Sequence, residues 1–499
     1  MKLSDVSFKP YPASFLYVEI ASSTAHVLEF GVTFLAIIYL TGAVYSAYFY
    51  PLCKFPGPKF AAASHLPIWY HRFTGNYIPW ITSLHARYGN VVRYSPDRLS
   101  FTSASAWKDI YGHKTRDKTS NGQDPRLYGS YENGDDDIST ILDDARHGQV
   151  RKIFAHAFSQ KALKLQEPLI QSHVDKLMNR LRATVQNSSR ENFDICDMYN
   201  RTTFDIIGDL SFGESLDTLQ TMPIYLGSIL SIVSVYPNLQ KLLAFFTPGA
   251  TKQEEEVHTY TAEIITKRLR KGRDAPDIWN FVLNKENHTL SLNEMHNNAS
   301  AFVMAGTVPP ATLLSGLTYL LLVNQEKLAK IVAEVRQLTD QEQLNCAVLA
   351  GLPYLNACLE EALRVYPPAP EGFPRVIPQG GNFVSGNYIP VDTRVSVPQW
   401  TINHSPSNFR DPYSFIPERW LPNTGFETDV KEAMQAWSVG PRNCIGRHVA
   451  YSEMRLIFAN ILWNFDLKLS EKSQNWIKQK SWMLWERGPL FVQASMRTS

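Results

Sequence analysis

One stretch of the chain concentrates residue types that can do chemistry: Trp437-Ser438-Val439-Gly440-Pro441-Arg442-Asn443-Cys444-Ile445-Gly446. Helical periodicity resumes directly after it, from about His448 to Trp463, which places Cys444 at a helix N-terminus. Free N–H groups and the positive end of the helix dipole favour a thiolate at such a position. Gly440 and Gly446 allow a tight loop and the close approach of a flat ligand. Arg442, two residues before the sulfur, can reach an anionic group at the edge of that ligand. A buried structural cysteine is the commonest fate of any lone cysteine, but it would not need this Gly-x-Arg-x-Cys-x-Gly frame. A phosphatase-type nucleophile would want its arginine further downstream than Arg447.

A second segment of interest reads Ala305-Gly306-Thr307-Val308-Pro309-Pro310-Ala311-Thr312. It lies inside an apolar run that follows Ser291-Leu292-Asn293-Glu294, a capping box that predicts a helix starting near 292. The run is apolar on nearly every face, so the helix is expected to be buried. A second membrane span is the alternative, and two prolines at its middle speak against it. Pro309 and Pro310 remove two N–H donors and clash with the carbonyls of Ala305 and Gly306, which opens the turn. Each costs about 3 kcal/mol in an ordinary helix interior, so the distortion is read as serving a site.

The elements that must position these segments are mostly helical. Pro353 opens a helix that ends before Pro367-Pro368 and carries Glu361 and Arg364 three apart on one face. Asn382 to Pro398 alternates in short runs around Ser385-Gly386-Asn387, the pattern of a hairpin. Residues 110–146 are polar and rich in Gly, Pro, Asp and Asn, which reads as a long loop. Helical periodicity then runs from His147 to about Leu181. The expected fold is mostly α with a minor β-sheet.

Composition narrows the function classes. The chain has 499 residues, 44% hydrophobic and 19% charged, with a net charge of +2 that gives no reason to expect nucleic acid. The basic run Lys267 to Arg273 is read as a solvated helix end. Five cysteines, at 53, 196, 346, 358 and 444, form no Cys-x-x-Cys pair, which argues against a disulfide framework or a structural zinc site. Phe30 to Tyr50 carries no charge over 21 residues, and at about 1.5 Å per residue it spans roughly a bilayer core. Tyr48, Phe49 and Tyr50 close it with an aromatic belt. Phe55-Pro56-Gly57-Pro58 then stops the helix, dividing the chain into an anchor segment (1–55, helix about 30–50) and a single catalytic domain (56–499). No Gly-x-Gly-x-x-Gly or phosphate loop is apparent, so the chain is not expected to bind its own nicotinamide or flavin.

Taken with Pro417-Glu418-Arg419-Trp420 between the Glu361/Arg364 helix and the cysteine loop, these motifs resemble those of the cytochromes P-450, the haem-thiolate monooxygenases. The likeness extends from the Pro-Gly-Pro hinge to the C-terminal helix. It implies haem b with Cys444 as the iron ligand, whose thiolate favours O–O cleavage. Trp437 would shield the sulfur where the family usually has Phe, a departure that could tune the iron's potential. Gly446 would close the loop. The resemblance implies that Glu361, Arg364 and Arg419 form a buried structural triad, and that His147, Arg151, Arg375 and Arg442 reach haem propionates. Ala305, Gly306, Thr307 and Thr312 would form the catalytic surface over the iron, with Ala305 and Gly306 leaving space for oxygen. Substrate contacts are expected from the 110–146 loop, from Phe302 and Thr307, and from Glu371 to Val376. His156-Ala157-Phe158-Ser159 and Asn403-His404-Ser405-Pro406 resemble the fungal specialised-metabolism branch.

The same resemblance implies electrons from an NADPH-dependent reductase, with cytochrome b5 as a secondary donor. It also implies an apolar small-molecule substrate and a single-pass location in the endoplasmic reticulum with the catalytic domain in the cytosol. One departure bears on mechanism: Val308 and Pro309 stand where the family places an acid and a threonine. Protons for oxygen chemistry would then come from ordered water, Thr307, Thr312 or a substrate hydroxyl. The alternatives are a haem-thiolate enzyme that rearranges, dehydrates or couples its substrate without inserting oxygen, and a non-catalytic haem-binding or membrane-organising protein.

Overall fold

The computed structural model describes residues 13–113, 119–129, 134–187, 192–213, 266–268, 270, 277–283 and 290–497. Lys2 and Lys9, residues 114–118 and 130–133 of the polar stretch, and 271–273 of the basic run lie outside the described residues.

The first helix runs Ala13–Tyr48, starting well before the expected Phe30. Its portion Glu29–Tyr48, 20 residues and only 6% buried, is long and apolar enough to cross a membrane. The helix ends in a Pro-initiated turn at Pro51–Lys54. Its last turns are fastened to the body: the Tyr39 and Ser64 hydroxyls lie 2.8 Å apart, and Ser46 donates to the Ala62 carbonyl at 2.6 Å. Arg93, 1% exposed, donates to the Ser46 carbonyl at 2.8 Å.

The body is built around the helix Leu292–Val323. Its capping box is formed as the sequence predicts, with Ser291 accepting from the Glu294 N–H and Glu294 from the Ser291 N–H. The helix continues through both prolines, and 78% of its most apolar window is buried, so its apolar surface is turned into protein. It packs along the helix Ile195–Phe212, and Gly306 makes that approach possible. A Cβ at Gly306 would lie 2.5 Å from Cγ1 of Ile207. The absent side chain at Gly306 is thus matched by Ile207 on the adjoining helix.

Strands β1 (Val91–Ser95), β2 (Arg98–Phe101), β3 (Gly122–Gln123), β5 (Arg375–Val376) and β8 (Arg394–Ser396) form one sheet in the order β1-β2-β8-β5-β3. β4 (Phe193–Asp194), β9 (Phe465–Leu469) and β12 (Phe491–Met496) form a second sheet, and β10 (Ser481–Trp482) pairs with β11 (Leu484–Trp485). β6 (Asn382–Val384) and β7 (Asn387–Ile389) make the expected hairpin. Ser385 and Gly386 take φ of 48° and 76° at its turn, the left-handed pair that suits the twist of a two-residue hairpin.

Two local readings need correction. The helix expected from His147 to Leu181 is two helices, Asp144–Phe154 and Gln160–Asn187. The Ser159 hydroxyl, donating to the His156 carbonyl and accepting from the Ala162 N–H, turns the chain between them. In the basic run, Arg268 is 3% exposed and paired with buried Asp277, so it is no solvated residue.

The helix Pro353–Val365 carries the core's main ionic cluster. Arg364 donates to Glu361 through Nε at 2.9 Å and Nη2 at 2.7 Å, and both side chains are fully buried. Arg419 reaches Glu361 at 3.4 Å and pairs with Asp429. Glu361 also accepts from the Trp420 indole and the Ile416 N–H, each at 2.9 Å. Arg364 fills its remaining donors on the carbonyls of Asn403, Pro412 and Ser414. Buried charges stand only when hydrogen-bonded throughout, and this cluster locks the 412–429 segment to the helix.

Candidate active site

Cys444 sits on the loop before the helix Arg447–Asn464, whose N-cap is Gly446. The loop closes on itself where the Cys444 N–H donates to the Trp437 carbonyl at 2.9 Å. Gly440 has φ of 80°, and a Cβ there would strike the Tyr111 carbonyl oxygen at 2.0 Å, so the loop lies directly on the end of the helix Ala104–Tyr111. At Gly446 φ is an ordinary −82° and a Cβ would meet nothing closer than Phe158 at 3.9 Å, leaving room beside the cysteine.

The Cys444 side chain is exposed, yet it is walled by enough protein that burial pushes its thiol above the ordinary value. The Gly446 N–H and the charges of Arg151 and Arg447 pull the other way. The helix N-terminus alone therefore does not make a thiolate here. A metal would, because coordination removes the proton.

Arg151 donates to the Asn443 carbonyl at 2.7 Å and to its Oδ1 at 2.5 Å, fastening the helix Asp144–Phe154 to the loop one residue before the sulfur. Arg442 directs all five donors to protein acceptors: Asp144 from Nε and Nη2, Gln123 and the Ile141 carbonyl from Nη1, and the Leu142 carbonyl from Nη2. Sequence reasoning missed Gln123, which reaches this place on the two-residue strand β3, and Asn443, which stood next to the cysteine.

Arg375 and His147 differ from these two. Arg375 is 7% exposed on β5, stacked 5.7 Å over the Tyr111 ring, and its Nη1 is buried without a hydrogen-bond partner among the described residues. Burial lowers its pKa, the expected response of a desolvated cation. His147 is 3% exposed and held neutral, its pKa pushed down to about 4 by burial and then by the charges of Arg442 and Arg151. No described group hydrogen-bonds its ring. An orphaned buried cation and an unpaired imidazole beside an accessible thiol fit a flat ligand that carries carboxylates and a thiol-seeking metal.

The Trp437 indole N–H donates to the Tyr451 hydroxyl at 3.0 Å, and Tyr451 donates to Glu360 at 2.5 Å. An indole has one donor, so none remains for the sulfur.

On the central helix Phe302 packs edge to face against Phe154 and Phe158, with ring centroids 4.9 and 5.3 Å apart. It belongs to the core and not to a substrate surface. The exposed residues one turn on are Met304 and Ala305. Thr307 and Thr312 donate their hydroxyls to the carbonyls of Val303 and Val308, each at 2.7 Å. Glu371 is likewise turned inward, accepting from Ser481 and the Met483 N–H.

A family model described as cytochrome P-450 matches residues 57–493. The chain is 44% identical to the cytochrome P-450 monooxygenase FUM2 of Gibberella moniliformis, over 90% of this chain and 99% of that protein. It is 42% identical to the cytochrome P-450 monooxygenase AMT3 of Alternaria alternata, over 91% of this chain and 96% of the relative. It is 37% identical to an averantin hydroxylase of Dothistroma septosporum, over 94% and 91%.

Proposed function

The chain belongs to the cytochrome P-450 family, and from that premise we propose that it hydroxylates or otherwise oxidatively tailors an apolar small molecule, with Cys444 as the residue that would hold the iron of its haem. Family membership carries the coarser statements: the chain is a haem-thiolate monooxygenase that uses haem b, takes electrons from a redox partner, and resembles enzymes of fungal secondary metabolism.

The observations that support the finer reading are an exposed Cys444 on its loop, an Arg375 guanidinium whose buried Nη1 has no hydrogen-bond partner among the described residues, and a buried, neutral His147. The haem, when bound, supplies oxygen activation. Arg375 and His147 would take propionate carboxylates, the first as a buried cation and the second as an imidazole donor. Arg151, through Asn443, fixes the height of the loop that presents the sulfur. Arg442, braced on Asp144 and Gln123, holds the loop against β3 and contributes positive potential at the propionate edge. Met304 and Ala305 line the substrate side.

Neither Val308 nor Pro309 has a proton to give, and Thr307 and Thr312 direct theirs at the backbone. Protons therefore enter on water or on the substrate. We further read the first helix as a single-pass endoplasmic reticulum anchor, the body as cytosolic, and the partner as an NADPH-dependent reductase with cytochrome b5 as a secondary donor. Supporting this is the apolar, exposed Glu29–Tyr48 segment.

Turnover of candidate pathway intermediates with a reductase under labelled dioxygen tests the proposal. It predicts product carrying one labelled oxygen atom. Unlabelled product formed without reductase would overturn it in favour of rearrangement.

A further inference from the structure

Pro309 and Pro310 leave the carbonyl oxygens of Ala305 and Gly306 without the N–H that a helix supplies from four residues on. The two positions face different surroundings. Gly306 is pressed on Ile207, and Pro310 is buried. Ala305 is exposed, as is Met304 at 57%, and Pro309 one turn along is partly exposed. This strip opens in the middle of a helix that is otherwise mostly core. It lies one turn from Phe302, which packs edge to face on Phe158, and Phe158 lies 3.9 Å from where a Cβ at Gly446 would sit. That series of contacts ties the strip to the cysteine loop.

Neighbouring hydroxyls on this stretch are already committed. Thr307 donates to Val303 and Thr312 to Val308, and Thr203, from the adjoining helix, donates to the Thr307 carbonyl at 3.0 Å. Among the described residues no side chain donates to Ala305. The strip thus presents a backbone acceptor and, among the described residues, no side-chain donor to meet it. Such a carbonyl is relieved by a ligand with an O–H and gains nothing from an ether oxygen of the same size.

We propose that the Ala305 carbonyl is a substrate-binding acceptor, so that the site selects a molecule bearing a hydroxyl on an otherwise apolar skeleton. The inference rests on the reading of Cys444 as the haem ligand, which makes this strip the substrate side. It adds the chemical class of the substrate: an already oxygenated one, supplied by a preceding hydroxylation or ketone reduction. The proline that removes the usual threonine also creates the acceptor that receives the hydroxyl in its place.

Isothermal titration of the full-length holoenzyme with dodecanol and with its methyl ether tests this, because the pair differs in a single donor. Wild type is expected to bind the alcohol about three- to tenfold more tightly than the ether. Pro309→Ala returns an N–H to Ala305 and should equalise the two. Pro310→Ala returns its N–H to Gly306 and should keep the preference. Equal or undetectable binding of both probes by wild type would overturn the proposal, as would a preference that survives Pro309→Ala. The carbon monoxide difference spectrum of the same samples reports the thiolate separately, so loss of that band would count instead against Cys444. The wild-type comparison stands even where a variant does not fold.

Discussion

Trp437 stands where the family usually has phenylalanine, and an indole beside a ligating sulfur could weaken that ligand by donating to it. The structure sends its N–H to Tyr451 instead, and Glu360 holds Tyr451 in turn. Hydrogen bonds to the sulfur are a main lever on a haem-thiolate's potential. Trp437→Phe should therefore leave the reduction potential at its wild-type value. Tyr451→Phe frees the indole N–H and should move the potential upward, and the double variant should restore it. Spectroelectrochemical titration of the three proteins checks this; an altered potential in Trp437→Phe alone would mean that the indole does bond to sulfur. Cys444 and the Glu361–Arg364–Arg419 group were legible in the sequence because their spacing is short or their motifs fixed. The Tyr451 and Asp429 partners were not, since a hydrogen bond between a loop and a helix leaves no period in the chain.

Helices with a start or stop signal read well from sequence: the Ser291 capping box, Pro353 at the head of its helix, and the Ser385-Gly386 turn each carry local chemistry that fixes the backbone. What failed was whatever depends on the neighbouring element. Strand β3 has two residues and exists only because Gln123 pairs with Arg375 across the chain. The close approach of Ile207 to Gly306 likewise depends on the adjoining helix and leaves no mark in the local sequence. Gly306→Ala should accordingly destabilise the protein by about 1–3 kcal/mol through overpacking, with the loss reduced in an Ile207→Ala background. Urea unfolding of the two variants and their combination measures it. An unchanged midpoint for Gly306→Ala would return the glycine to the ligand side.

Across the whole molecule, the buried histidines His85 and His404 are expected to set the acid limit of stability. His85, bonded to Ser100 and the Gly89 carbonyl, has its pKa lowered to about 4 by burial. His404, stacked on Trp400, falls to about 3 for the same reason, with the Arg364 charge adding. Below the unfolded value near 6.5 the unfolded chain takes up protons that the folded one refuses. The stability present above that pH is therefore lost as the pH falls toward 4, on the order of 3 kcal/mol for each imidazole. Urea midpoints taken between pH 7 and pH 4 should fall steadily through this window, and a flat profile would contradict the burial of these rings. At the same scale, the proposed function places the sulfur of Cys444 at its centre. The carbon monoxide difference spectrum of the reduced protein tests that claim most directly. The wild type should show the thiolate-type Soret band and Cys444→Ser should lose it; a wild type without the band, or a Cys444→Ser variant that keeps it, would contradict the account.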